Sequence, residues 1–461
     1  MASLILIQAF TIFIFLLIYR RILSQGKAPL PPGPAPLPIL GNMYDMPPPG
    51  TAEYKHWFKH KDKYGPISSV RLFNKVIVLI HDKQAAHDLC GRHSGRSLSK
   101  FALDICGVGE WTIGKQPDDA FRRHRKMISA QLGSKKAVSR FNNLQDVETK
   151  RFLVWMLNKP DKLVENLYTH AGSLILKIIY GYSIEPNKAD PLVDIINQIM
   201  ARFTLIFAPL TWAVDIIPLL EYLPLGFPGA SFKRLGRLYQ NELNAAARVP
   251  YEFAIDRISD SKDQNSYGFI LAMIMFPEVQ RKAQEEIDRV VGPNSLPSYE
   301  HQPHLPYIKA LISEALRWVP IAPIGIPHAT KEDMIYQGYQ IPKERFMEPR
   351  NEPDPRSEVF GYGRRICPGR VLAESTIFLT IVRILAVFSI GKAVVNGVEI
   401  EVELEMSQGS PCHPKDFAYS IRPRSEQMMH LLRKIEQGLP WTEGDSAKLP
   451  REIYDFLSKD L

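Results

Sequence analysis

Cysteine is scarce in this chain: four in 461 residues, at positions 90, 106, 367 and 412, with no CxxC pair. So few exclude a disulfide-stapled scaffold and fit a reducing compartment, and each cysteine is judged by its own surroundings. No other Cys or His lies at ligand spacing from Cys367, which argues against a zinc or redox-thiol centre there. Runs of Lys and Arg interleaved with aromatics are missing too, which sets nucleic acid aside as a partner. Lys and Arg nevertheless number 57 against 49 Asp and Glu, a net charge of +8. That excess suits anionic lipid, an acidic protein partner or plain solubility. No internal repeat or low-complexity tract is visible.

Charge is also absent from residues 1–19. Leu4 to Tyr19 is nearly all apolar, and Arg20 and Arg21 come directly after it. The run is near the lower length limit of a membrane-spanning helix. It lacks the basic start and small-residue cleavage site of a removable signal peptide, and the basic flank keeps the rest of the chain on the cytosolic side. Residues 1–21 are therefore expected to be a single-pass anchor. Residues 22–38, which include PLPPGP at 29–34, read as a stiff proline hinge, and residues 39–461 as the globular body. In the body, residues 65–80 pattern as a β-hairpin turning at Asn74-Lys75. Long helical periods dominate after that, at 121–132, 147–157, 280–291, 306–318 and 370–388. Pro277 and Gly292 bracket one of these as start and stop signals should. The expected class is mainly α with a small β part.

The chemistry is concentrated in FGYGRRICPG, residues 360–369. Its glycines permit a tight loop with positive φ beside a bulky planar ligand. Cys367 falls just before an apolar helix that starts near Arg370. Free backbone amides and the helix dipole at such a start favour a sulfur anion. Arg365 adds positive charge that could pair a ligand carboxylate. A thiolate held in this way suits haem iron, where it pushes electron density toward O–O cleavage.

With Phe360, Gly363, Arg365, Cys367 and Gly369 in register, the segment resembles the FxxGxRxCxG cysteine loop of cytochrome P450 enzymes. Glu314 and Arg317 match the family's ExxR pair; three residues apart on a helix, they lie on one face. Arg345, in PKERF at 342–346, resembles the arginine of the PERF element. The resemblance implies a structural Glu314–Arg317–Arg345 triad beneath the haem. FRRHR at 121–125 resembles WxxxR, with Phe121 in place of Trp, and implies that Arg125 binds a haem propionate. His328 matches another propionate position, and a satisfied surface or core histidine is the other reading. The main substrate loop of the family maps onto 95–116, which implicates Phe101, Ile105 and Trp111. Residues 319–327, including Ile324, would line the same pocket. The chain looks most similar to fungal microsomal members of secondary metabolism. That likeness implies haem as cofactor, electrons from an NADPH-cytochrome P450 reductase, and insertion of one oxygen atom from O2 into an apolar small molecule. It also implies a place on the endoplasmic reticulum, against membrane lipid, with the haem domain in the cytosol.

Two departures stand out. The family's central helix carries an (A/G)GxxT motif that helps deliver protons to bound oxygen, and this chain has none in register. Where it is expected, before Ile270, stands the polar, turn-like stretch 256–268. The central helix is thus expected to be largely missing, and the usual acid and threonine with it. A second junction joins QIP at 340–342 directly to ERF at 344–346. Both breaks are abrupt, like skipped exons or an altered gene model. Two functions are compatible with this sequence: a working haem-thiolate monooxygenase, or a non-catalytic relative that binds haem weakly or not at all.

Overall fold

The computed structural model describes residues 28–48, 51–73, 75–92, 99–185, 188–207, 211–255, 267–320, 322–323, 325, 328–330, 333–342, 346–349, 355–407, 412–440 and 443–449. The expected anchor 1–21, the first part of the hinge, Asn74, the polar stretch 256–266, Ile324 and Arg345 lie outside the described residues. Among the described residues, no helix is long and apolar enough to cross a membrane.

Helices dominate, with small sheets beside them. Counting helices of nine residues or more, α1 is Glu53–Tyr64, α2 Asp119–Leu132, α3 Asn142–Asn158, α4 Leu163–Tyr180 and α5 Pro191–Ile206. Then come α6 Ser231–Ile255, α7 Tyr267–Met275, α8 Pro277–Val290, α9 Pro306–Trp318, α10 Arg370–Val387 and α11 Glu426–Gly438. Local chemistry sets several starts. Asp118 accepts the Phe121 N–H at 2.7 Å and caps α2, while Pro191, Pro277 and Pro306 open α5, α8 and α9.

The hairpin forms as expected. Strands β1 (Ile67–Leu72) and β2 (Lys75–Ile80) pair antiparallel from Ile67–Ile80 to Leu72–Lys75. Strand β2 also pairs parallel with β6 (Phe346–Pro349), which in turn pairs with β3 (His328–Ala329). A separate ribbon joins β4 (Met334–Tyr336) to β5 (Tyr339–Ile341). The strands on either side of the junction, β5 and β6, thus belong to different sheets.

The hinge is less of a spacer than its prolines suggest. Ser69 N–H donates to the Pro32 carbonyl at 2.8 Å, Ser69 Oγ to Pro31, and Gln340 N–H to Pro29. Proline lacks a donor but keeps its acceptor, so this stretch lies along the sheet as part of the body.

At the centre is α10, buried from Thr376 through Val387 and packed by α3, α8 and α9. Arg383 is enclosed there with 2 % exposure; its guanidinium donates to the Pro297 and Asp146 carbonyls and pairs with the Asp146 carboxylate. A helix buried on nearly every face is a rigid base for the loop that precedes its N-terminus.

Candidate functional site

Three residues before α10 stands Cys367. Its N–H donates to the Phe360 carbonyl at 2.7 Å, closing the loop, while Arg365 N–H bonds Tyr362 and Ala373 N–H bonds Gly369. Gly361 and Gly363 have φ of +80° and +51°. Both values lie in the left-handed region that only glycine enters cheaply. Gly369 caps α10 without a side chain, and a Cβ there would stand 3.9 Å from the Cys367 sulfur.

Burial separates the cysteines. Cys90, Cys106 and Cys412 are enclosed, and Cys367 is exposed. Burial pushes the Cys90 and Cys106 thiols up to about 12, so both stay protonated and inert.

Two guanidinium groups stand near the loop. Burial lowers the pKa of Arg125, and the neighbouring Cys367 pulls it back up. Burial, with Arg125 and Arg364 alongside, takes Arg365 down to about 10. The sequence pattern assigns Arg365 to a ligand carboxylate. In the fold it donates to the carbonyls of Thr112, Ile113 and Lys115, and lies over the Phe121 ring at 4.4 Å. Thr112 Oγ1 in turn bonds His124 on α2 at 2.9 Å. The cysteine loop, the 112–115 segment and α2 thus form one unit. Phe121, notable in the sequence only as a replacement for Trp, is the ring that carries Arg365. An exposed sulfur on a glycine loop, ahead of a helix start and beside two cations, fits an iron porphyrin bearing two carboxylates.

The remaining candidates scatter. Arg317 Nε donates to Glu314 at 2.8 Å, so the pair forms, yet both side chains are well exposed. Nearby on α9, Arg356 donates to Ser313 Oγ at 2.7 Å. His328 pairs through its backbone with Met347, and its side chain lies outside the described residues. Phe101 is fully buried, stacked on Trp212 at 3.7 Å and edge-on to Tyr239. Its ring belongs to the packed core of the described residues. Its segment is pinned by the buried Asp215, which accepts from Phe101 N–H and Ser99 Oγ. Ile105 packs half-buried on the same core. Trp111 borders an open surface groove with Tyr180, Asn244, Ala247, Arg248 and Tyr251.

The family model for Cytochrome P450 matches residues 31–237, 266–347 and 344–416. The cytochrome P450 monooxygenase CLM2 of Gibberella zeae is 37 % identical over 93 % of this chain and 96 % of its own length. The multifunctional cytochrome P450 monooxygenase af510 of Aspergillus fumigatus is 37 % identical over 93 % and 94 %. The O-methylsterigmatocystin oxidoreductase of Aspergillus flavus is 32 % identical over 93 % and 94 %. The alignment to the first spans 507 positions, more than the 461 residues of this chain.

Proposed function

The chain belongs to the cytochrome P450 family and is an oxidoreductase of that type with haem as its cofactor, and from there we propose that Cys367 is the axial ligand of a monooxygenase acting on an apolar small molecule. One observation carries this reading: Cys367, alone of the four cysteines, is exposed, in a glycine loop ahead of a buried helix. When bound, a thiolate-ligated haem supplies the oxygen-activating chemistry. The amides at the start of α10 steady the sulfur anion. Arg125 offers positive charge to a propionate, and Arg365 holds the 112–115 segment against the loop. Electrons come from an NADPH-cytochrome P450 reductase. Residues 1–21 tether the body to the cytosolic face of the endoplasmic reticulum.

A second reading, a member with little or no turnover, is favoured by the missing (A/G)GxxT motif. The family match stops at 237, resumes at 266 and restarts again at 344. The uncovered span 238–265 takes in most of the polar stretch 256–268, and the restart falls at the junction after 342, which supports loss of the central helix. The deciding test is the difference spectrum of the reduced, carbon monoxide-treated chain. A thiolate-type band is expected, lost in Cys367→Ser and kept in Cys90→Ser and Cys412→Ser. No band in the unaltered chain, or a band that survives Cys367→Ser, overturns the ligand assignment.

A further inference from the structure

The loop that presents Cys367 leans on a short helical run after β2, and we propose that Lys83, His87 and Gly91 of this run form a platform that sets the position of the thiol. The proposal rests on the reading of Cys367 as the ligand. The run begins as one α turn, Lys83–Ala86, and widens into a π turn, His87–Arg92. Wide turns of this kind gather at functional sites. Lys83, His87 and Gly91 are four residues apart and so fall on successive turns of one face.

Each of the three meets a different residue of the cysteine loop or its lead-in. Lys83 Nζ is 2.9 Å from Glu358, whose side chain is 8 % exposed. The His87 ring meets Tyr362 edge-on, with centroids 5.0 Å apart. Tyr362 is itself buried, in one core cluster with Ile80, Ala86, Leu89 and Cys90. A Cβ on Gly363 would run into the Gly91 backbone, so there main chain lies directly on main chain. An ion pair, a ring contact and a backbone contact therefore succeed one another along one stripe.

The loop's internal bonds, Gly361 N–H to Glu358, Arg365 N–H to Tyr362 and Cys367 N–H to Phe360, make it move as a unit. Where the sulfur sits then depends on what the unit rests against. Arg356 on Ser313 fixes the upstream end, Arg365 fixes the side toward 112–115, and the Lys83 stripe supplies the third support. Three supports define a position that two would leave free to pivot. Lys83, His87 and Gly91 are positioning residues, acting through the loop.

The test swaps the ion pair in the full chain and reads, on the fraction that carries no haem, the alkylation of Cys367 by iodoacetamide, with peptide mass spectrometry to locate the label. Lys83→Glu and Glu358→Lys are each expected to change the rate about fivefold or more, because a partly buried pair is broken into like charges. The double swap should return it to within about twofold, as coupled neighbours do. Should either reversal fail to fold, Lys83→Met and His87→Ala carry the same test with smaller changes in the same direction. Rates that match the unaltered chain, or a double swap no better than its singles, overturn the platform. A chain without a thiolate-type band overturns the ligand reading instead, and the alkylation rates still judge the platform in that same preparation.

Discussion

Gly361 and Gly363 show how two similar residues of one motif carry different loads. Both have positive φ, but Gly361 has only the Arg365 carbonyl near its missing Cβ, at 3.8 Å, whereas Gly363 lies on the Gly91 backbone. Gly361→Ala should cost the left-handed strain alone, roughly 1–2 kcal/mol. Gly363→Ala adds a clash with main chain that has no flexible end to move aside. It should cost on the order of 3 kcal/mol or more and loosen haem retention. Thermal unfolding of the two variants checks the order, and an equal loss at both positions would contradict it. The ExxR pair shows the opposite limit. Its three-residue spacing foretells the contact, but Glu314 and Arg317 keep 57 % and 38 % of their side chains exposed. An exposed pair contributes little to stability.

Between α4 and α10 a buried histidine ties stability to pH. His170 Nε2 bonds Thr380 Oγ1 at 3.3 Å, its ring stacks on Phe152, and its Nδ1 has no partner among the described residues. Burial takes its pKa from the ordinary 6.5 to about 3. On unfolding, the ring regains its ordinary affinity and takes up a proton that the folded chain refuses. Stability from this group is full above about 6.5 and falls as pH drops toward 3. The slope can reach about 1.4 kcal/mol per pH unit. His60, also lowered mainly by burial, acts in the same sense. Melting curves between pH 7 and about 4 should show the decline, and His170→Gln should flatten it; an unchanged slope in that variant would assign the acid sensitivity elsewhere.

For the whole molecule, two expectations concern membrane and turnover. Deleting residues 1–21 should move the chain from the membrane pellet to the soluble fraction, since that run has no charge before Arg20. A folded, unaggregated truncation that still sediments with membranes would show that another surface holds it there. Turnover with a reductase should be slow and poorly coupled. Positioned proton transfer is typically worth 10²–10⁴-fold, and the sequence holds no (A/G)GxxT motif to supply it. Steady product formation matched one to one with NADPH consumption would defeat this view.

Much of the molecule is legible in the sequence by itself. The helix starts at Pro277 and Pro306, the hairpin of 67–80, the apolar run of α10 and the glycine loop around Cys367 are all local patterns, set by backbone sterics, capping and periodicity within a few residues. Contacts between distant segments are decided only by the tertiary structure, because no local rule says which faces will meet. Arg365 reads as a ligand-binding cation and is held by carbonyls some 250 positions earlier in the chain. Phe101 reads as a substrate contact and is enclosed by Trp212 and Tyr239. The proline stretch reads as a stiff hinge, and Pro31 and Pro32 accept hydrogen bonds from Ser69 of β1. Lys83, His87 and Gly91 carry no motif at all, and their shared face gains meaning only once the cysteine loop is packed across it.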